Sequence, residues 1–258
     1  MQENSTVNSL VAIILRDLPK VTSTQHKANK YYDDFFYPAL NLTINCEIVD
    51  SFANKLYKTI AQGLSPATIA KLHNSISHIT LQKKKDCRGH HATIAYGAYL
   101  ERGGSGSIRI GKFNNTPNGR HFIQQNSALW QLISDIMTQV DPVWAHQVSI
   151  IPEKYRLFGL FSLCFININS ENINLYHRDC QDWRWCVIIP FGEYSQGCLD
   201  LKYLNCQAHL RAGDVGLLYS RGIWHSVKNV VGIRNSIVLV VHTGLLNRFT
   251  NVLYKHDI

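Results

Sequence analysis

His177-Arg178-Asp179 sets an imidazole and a carboxylate two residues apart, and a second imidazole, His225, follows further along the chain. Residues two apart on an extended strand project from the same face, so His177 and Asp179 can reach one ion while Arg178 points away. His225 must then arrive from a neighbouring strand. Two imidazoles and one carboxylate are the ligand set of a facial triad, which holds Fe(II) on one side and leaves the other positions open for O2 and a second ligand. Thiolates would instead indicate zinc or an iron–sulfur cluster. A lone HxD triplet carries little weight; an ordered set of HxD, His and Arg234-x-Ser236 on strand-forming sequence carries much more.

The elements that must position these residues read as strands. Residues 183–191 (WRWCVIIPF) and 197–203 (GCLDLKY) are expected to be two strands joined by a turn at 192–196. Residues 210–219 (LRAGDVGLLY) read as a tight turn running into a buried strand, and 234–241 (RNSIVLVV) as a β-branched core strand. Residues 158–168 (FGLFSLCFINI) open this sheet, with Asn167 and Asn169 on one side. Short strands separated by glycine turns suggest a closed or double-sheet β fold.

Upstream, residues 49–62 (VDSFANKLYKTIAQ) have helical apolar spacing, capped by Asp50 or Ser51, and Ser65-Pro66 starts a second helix over 67–76. Residues 89–99 and 108–111 form a hairpin around a glycine-rich turn at 102–107. Arg102 at its tip, with Arg109, Lys112 and Arg120 nearby, suits a phosphate backbone. Residues 113–119 (FNNTPNG) read as a loop. Residues 127–139 (SALWQLISDIMTQ) form an amphipathic helix with Ser127 as N-cap and Leu129, Leu132, Ile133 and Ile136 on the apolar face, and Pro142 ends that region. The aromatic run 30–38 is expected over the core, His209 on a strand surface, and 243–258 as a terminal element outside the barrel.

A length of 258 residues suits one catalytic domain with decorations, and 45% hydrophobic content is ample for its core. The net charge of +8 favours an acidic partner such as nucleic acid. Seven cysteines, an odd number without a CxxC pair, argue against a disulfide framework or zinc knuckle and for buried thiols in a reducing compartment. No signal peptide and no run long enough to span a membrane is read, and Lys83-Lys84-Lys85 reads as a solvated turn. The Gly-rich turn is not a nucleotide loop, because no Gly-Lys-Ser/Thr follows it.

The motif set resembles the iron- and 2-oxoglutarate-dependent dioxygenases, whose core is a double-stranded β-helix. In that family an arginine and a serine at the positions of Arg234 and Ser236 grip the distal carboxylate of 2-oxoglutarate. HRDxxD, PFGxYxxGxL and GDVxxxxSxxxWHxVxxVxGxRxSxVLVVH resemble more narrowly the TET/JBP branch, which oxidises methylated nucleobases. A polar residue three after the metal aspartate and a histidine eight after the arginine contact the flipped base there; the matching residues are Asp182 and His242. An AlkB-type repair enzyme would carry a second arginine where Val240 stands. The resemblance implies a β-rich α+β protein with a jelly-roll core buttressed by N-terminal helices. Its parts would be a partly ordered extension (1–45), a helical and hairpin region (46–155) and the catalytic core (156–258). It further implies Fe(II), 2-oxoglutarate and O2 as cofactors, with 5-methylcytosine in DNA as substrate and N6-methyladenine or RNA as variants. A nuclear monomer is expected. The competing expectations are a hydroxylase of a protein side chain or small molecule, and a non-catalytic nucleic-acid-binding jelly roll.

Overall fold

The structure is a computed structural model describing residues 11–15, 40–42, 45–50, 55–77, 83–86, 89–100, 106–168 and 173–253. Arg102, Asn169, the aromatic run 30–38 and most of the N-terminal extension lie outside the described residues. Two long strands organise the rest: β10 (Asp182–Leu201) and β13 (His225–His242), antiparallel along nearly their whole length. At one end they pair with β12 (Val215–Leu218) and β8 (Leu163–Ile168), which extend to β4 (Lys55–Ile60) on one side and β6 (Gly89–Leu100) on the other. At the other end they pair with β11 (Cys206–Ala208) and β9 (Ile173–His177). The two long strands thus belong to two sheets, and one apolar cluster draws residues from both. Cys186, Ile188, Leu218 and Val240 of the first sheet pack with Leu199, Leu201, Cys206 and Ala208 of the second. This is the interior of a jelly roll.

Strand alternation buries both faces of the first sheet. Cys186, Ile188 and Val240 point into the roll, whereas Trp185, Val187, Ile189, Ile237 and Leu239 point out into a second core formed with the helices. Those helices are α1 (Pro66–Ile76), α2 (Pro117–Gln125), α3 (Ser127–Val140), α4 (Pro142–Ser149) and α5 (Thr243–Leu253). Their starts follow the capping rules: Ser65 accepts from the Thr68 amide at 3.2 Å, Thr116 from Gly119 at 3.1 Å, and Asp141 from Trp144 at 3.0 Å. Each of these caps precedes a proline, whose missing N–H costs nothing at a helix start.

Several expectations are corrected. Where 49–62 is described it is not helical: β3 (Cys46–Asp50) and β4 form an antiparallel pair, because β12 offers β4 a partner and buries Leu56, Tyr57 and Thr59. Residues 113–119 are not a loop but a 3-10 turn (Lys112–Asn115) running into α2. Pro142 begins a helix rather than ending one. In α3 the cap position is Asn126, not Ser127, and the buried stripe is Leu129, Trp130, Ile133, Met137 and Val140, with Leu132 exposed. Residues 192–196 make no hairpin turn. β10 runs on through them, bent at Gly192 (φ +110°) and Gly197 (φ +142°) with register shifts nearby.

Candidate metal centre and substrate pocket

β9 and β13 pair so that His177 stands opposite His225, which puts both rings on one face with centroids 4.4 Å apart. The chain leaves β9 at His177, and the Asp179 amide then bonds the Ser220 carbonyl at 3.1 Å. That contact turns the Asp179 carboxylate toward the rings, its Oδ2 3.5 Å from His225 Nε2. One ligand atom from each of the three residues lies within 4.8 Å of the others. Each imidazole also has its Nδ1 against the carbonyl two residues before it, Leu175 at 3.2 Å and Ile223 at 2.9 Å. An Nδ1–H donated there leaves Nε2 deprotonated for a metal, the usual orienting contact of a ligand histidine. Two imidazoles, one carboxylate and no thiolate fit Fe(II). Arg178 points away as expected, its guanidinium 5.0 Å from the Trp224 ring centroid.

Arg234 and Ser236 lie further along β13, both buried. Burial pulls the Arg234 guanidinium below its ordinary pKa, partly offset by Tyr194, whose ring lies 5.9 Å away. Tyr194 is in turn held by its phenol, which donates to the Leu210 carbonyl at 2.8 Å. Asn167 donates to the Ser236 hydroxyl at 3.3 Å and accepts from Thr93 at 2.9 Å. A buried guanidinium with a hydroxyl two residues on is suited to a carboxylate.

Asp182 faces His242 across the β10–β13 pair, with Oδ1 4.0 Å from His242 Nε2. Its amide bonds the Asp179 carbonyl at 2.9 Å, so this pair sits beside the three-residue cluster. The structure therefore brings together five residues singled out by sequence, His177, Asp179, Asp182, His225 and His242, and sets Arg234 and Ser236 on the strand that carries His225 and His242. The basic set is more scattered. Arg109 is on β7 (Ile108–Ile110), Lys112 on the 3-10 turn and Arg120 on α2; all three are exposed, and Arg120 donates to the Asn115 carbonyl. Leu100 at the end of β6 lies against Gly244, two residues past His242, which places that end of the strand near the Asp182–His242 pair. Sequence reasoning gave no role to Tyr194, Thr93 or Ser220. Tyr194 and Ser220 did stand in the quoted motifs, whereas nothing local marked Thr93.

Fold and site together define a double-stranded β-helix protein with a two-histidine, one-carboxylate cluster at the end of the roll. Among solved structures the chain is similar to that of NgTET1 in complex with 5mC DNA, with a TM-score of 0.71 and 18% identity over 95% of this chain and 90% of that one. It also matches an oxidoreductase of the 2OG-Fe(II) oxygenase family from Burkholderia pseudomallei (TM-score 0.47, 12% identity, 71% of this chain and 84% of that one). A third match is OsALKBH1 (TM-score 0.42, 12% identity, 71% and 97%). No family model and no curated protein matches. The first likeness shows a shared fold across nearly the whole chain, the double-stranded β-helix that the motifs imply.

Proposed function

We propose that this chain is an Fe(II)- and 2-oxoglutarate-dependent dioxygenase that oxidises the methyl group of a modified nucleobase in DNA, 5-methylcytosine first. The observation that carries the reading is the pair of buried Asp182 and half-buried His242 beside the cluster of His177, Asp179 and His225. The NgTET1 structure, similar over 95% of this chain, is of a complex with 5mC DNA, and the net charge of +8 suits the same kind of partner.

In this reading His177, Asp179 and His225 hold the iron on one face. Bound iron, with 2-oxoglutarate and O2, supplies the oxidising power that places one oxygen on the methyl carbon as 2-oxoglutarate becomes succinate and CO2. Arg234 and Ser236 fix the distal carboxylate of 2-oxoglutarate, and the apolar interior of the roll excludes water around it. Asp182 accepts from the exocyclic amine of the base, and His242 donates to a ring or carbonyl acceptor. The base must leave the stack to reach them. Repeated oxidation of the first product follows from the same geometry.

The test is incubation with methylated oligonucleotides, Fe(II) and 2-oxoglutarate, followed by mass spectrometry of the nucleosides. Gain of one oxygen on 5-methylcytosine supports the reading, and His177→Ala should abolish it. Decay of 2-oxoglutarate with no change in any oligonucleotide would turn the reading toward a protein side chain or small molecule. A chain that binds oligonucleotide but consumes no 2-oxoglutarate would be a binding jelly roll.

A further inference from the structure

Ser220 touches both Asp179 and Asp182. It lies in the turn after β12, fully buried. Its carbonyl accepts the Asp179 amide at 3.1 Å, and its hydroxyl donates to Asp182 Oδ2 at 2.8 Å. A hydroxyl has one proton to give, and here the carboxylate receives it. Behind Ser220 lies the buried Cys186. The other carboxylate oxygen, Oδ1, faces His242 Nε2 across 4.0 Å.

We infer that Ser220 is a specificity-determining positioning residue: its hydroxyl holds Asp182 as a pure hydrogen-bond acceptor, so that the pocket takes a base presenting an exocyclic amine and rejects one presenting a carbonyl there. The inference rests on the base-oxidising reading above and narrows it. An amine of the cytosine or adenine type donates to Oδ1. A thymine- or uracil-type carbonyl sets lone pair against lone pair, and burial makes that mismatch costly. Without Ser220, Oδ2 loses its donor while remaining buried, and the carboxylate is free to rotate.

The experiment uses two oligonucleotides of one sequence with either 5-methylcytosine or thymine at the target position. Both carry the same 5-methyl group, so they differ at the position read by Asp182 only in amine against carbonyl. Rates of methyl oxidation are measured for the wild type, Ser220→Ala and Ser220→Thr, beside decay of 2-oxoglutarate without oligonucleotide. The wild type should prefer 5-methylcytosine by about a hundredfold or more. Ser220→Ala should shrink that preference roughly tenfold, losing far more in base oxidation than in 2-oxoglutarate decay. Ser220→Thr, which restores a hydroxyl, should recover most of the preference. A wild type that favours thymine leaves base oxidation standing and overturns the role of Ser220. Parallel loss of base oxidation and 2-oxoglutarate decay in Ser220→Ala, or an unchanged preference, overturns it too, leaving Ser220 a mere support for Asp179. If the wild type oxidises neither oligonucleotide, the base-oxidising reading fails and this inference falls with it.

Discussion

Replacing Arg234 by methionine separates a buried charge kept for binding from one kept for folding. The guanidinium is 4% exposed, and its desolvation already disfavours the charged form. Methionine has a similar length and can keep contact with the Tyr194 ring, so the ligand-free protein should lose little stability. Relief of the desolvation cost can even raise it, as when other buried charges are replaced by apolar residues of like volume. Binding of 2-oxoglutarate should suffer heavily. A fork of charge-assisted hydrogen bonds to a carboxylate is worth about 3 kcal/mol, which corresponds to a KM for 2-oxoglutarate raised on the order of a hundredfold. Arg234→Lys keeps the charge but loses the planar fork, and should fall between, near tenfold. The assay is succinate formation against 2-oxoglutarate concentration, with the melting temperature of each ligand-free variant measured alongside. If Arg234→Met saturates at the wild-type concentration of 2-oxoglutarate, the cosubstrate is held elsewhere. If it fails to fold, the guanidinium is structural.

Other outcomes follow from separate parts of the molecule. Asp141 accepts from the Trp144 amide and the Trp185 indole and pairs with Arg184, so Asp141→Ala should cost about 3 kcal/mol; a shift of the urea midpoint equivalent to under about 1 kcal/mol would contradict this. Gly97 has φ +126°, and an added Cβ would lie 2.0 Å from the Ser162 carbonyl oxygen, so Gly97→Ala should yield little soluble protein or a much lower melting temperature. Burial pushes Cys206 up to about 11 and Tyr194 up to about 12, from ordinary values of 9.0 and 10.0. The folded state therefore keeps protons that the unfolded chain releases, and stability must fall as pH rises from about 9 towards 12; an unchanged urea midpoint between pH 8 and 10.5 would refute this. Iron at about a hundred times its dissociation constant should raise the melting temperature by roughly 5–10 °C, reversed by a chelator and missing in His177→Ala.

The metal cluster was legible because its evidence is chemical and periodic at once. Residue type names the ion, and the period of two along a strand says that His177 and Asp179 share a face while Arg178 does not. The apolar runs of β10, β12 and β13 were equally plain, since strands buried on both sides have few polar interruptions. Where sequence misled, two periods competed or a breaker had a second use. The apolar positions of 49–60 fit a helix as well as a strand, and only the presence of β12 as a partner decides between them. α2 hid because PNGRHFIQQ buries little beyond Gly119 and Phe122, although Thr116-Pro117 was a fair helix start. Gly192 and Gly197 looked like the ends of a turn, but they let one strand bend from the first sheet into the second. The contact of Ser220 with Asp182 could not be read at all, because it joins residues 38 apart that only the folded chain brings together.

β13 carries His225 at its first position, Arg234 and Ser236 within it, and His242 at its last. On the proposed function, metal grip, cosubstrate anchor and base contact are thereby spaced along one ruler. Adding or deleting a single residue between 226 and 241 would turn the downstream side chains inside out and misalign every station beyond the lesion. Such a scaffold can drift toward new substrates only by exchanging residues in place, or by remodelling the loops and helices that meet the ruler from outside.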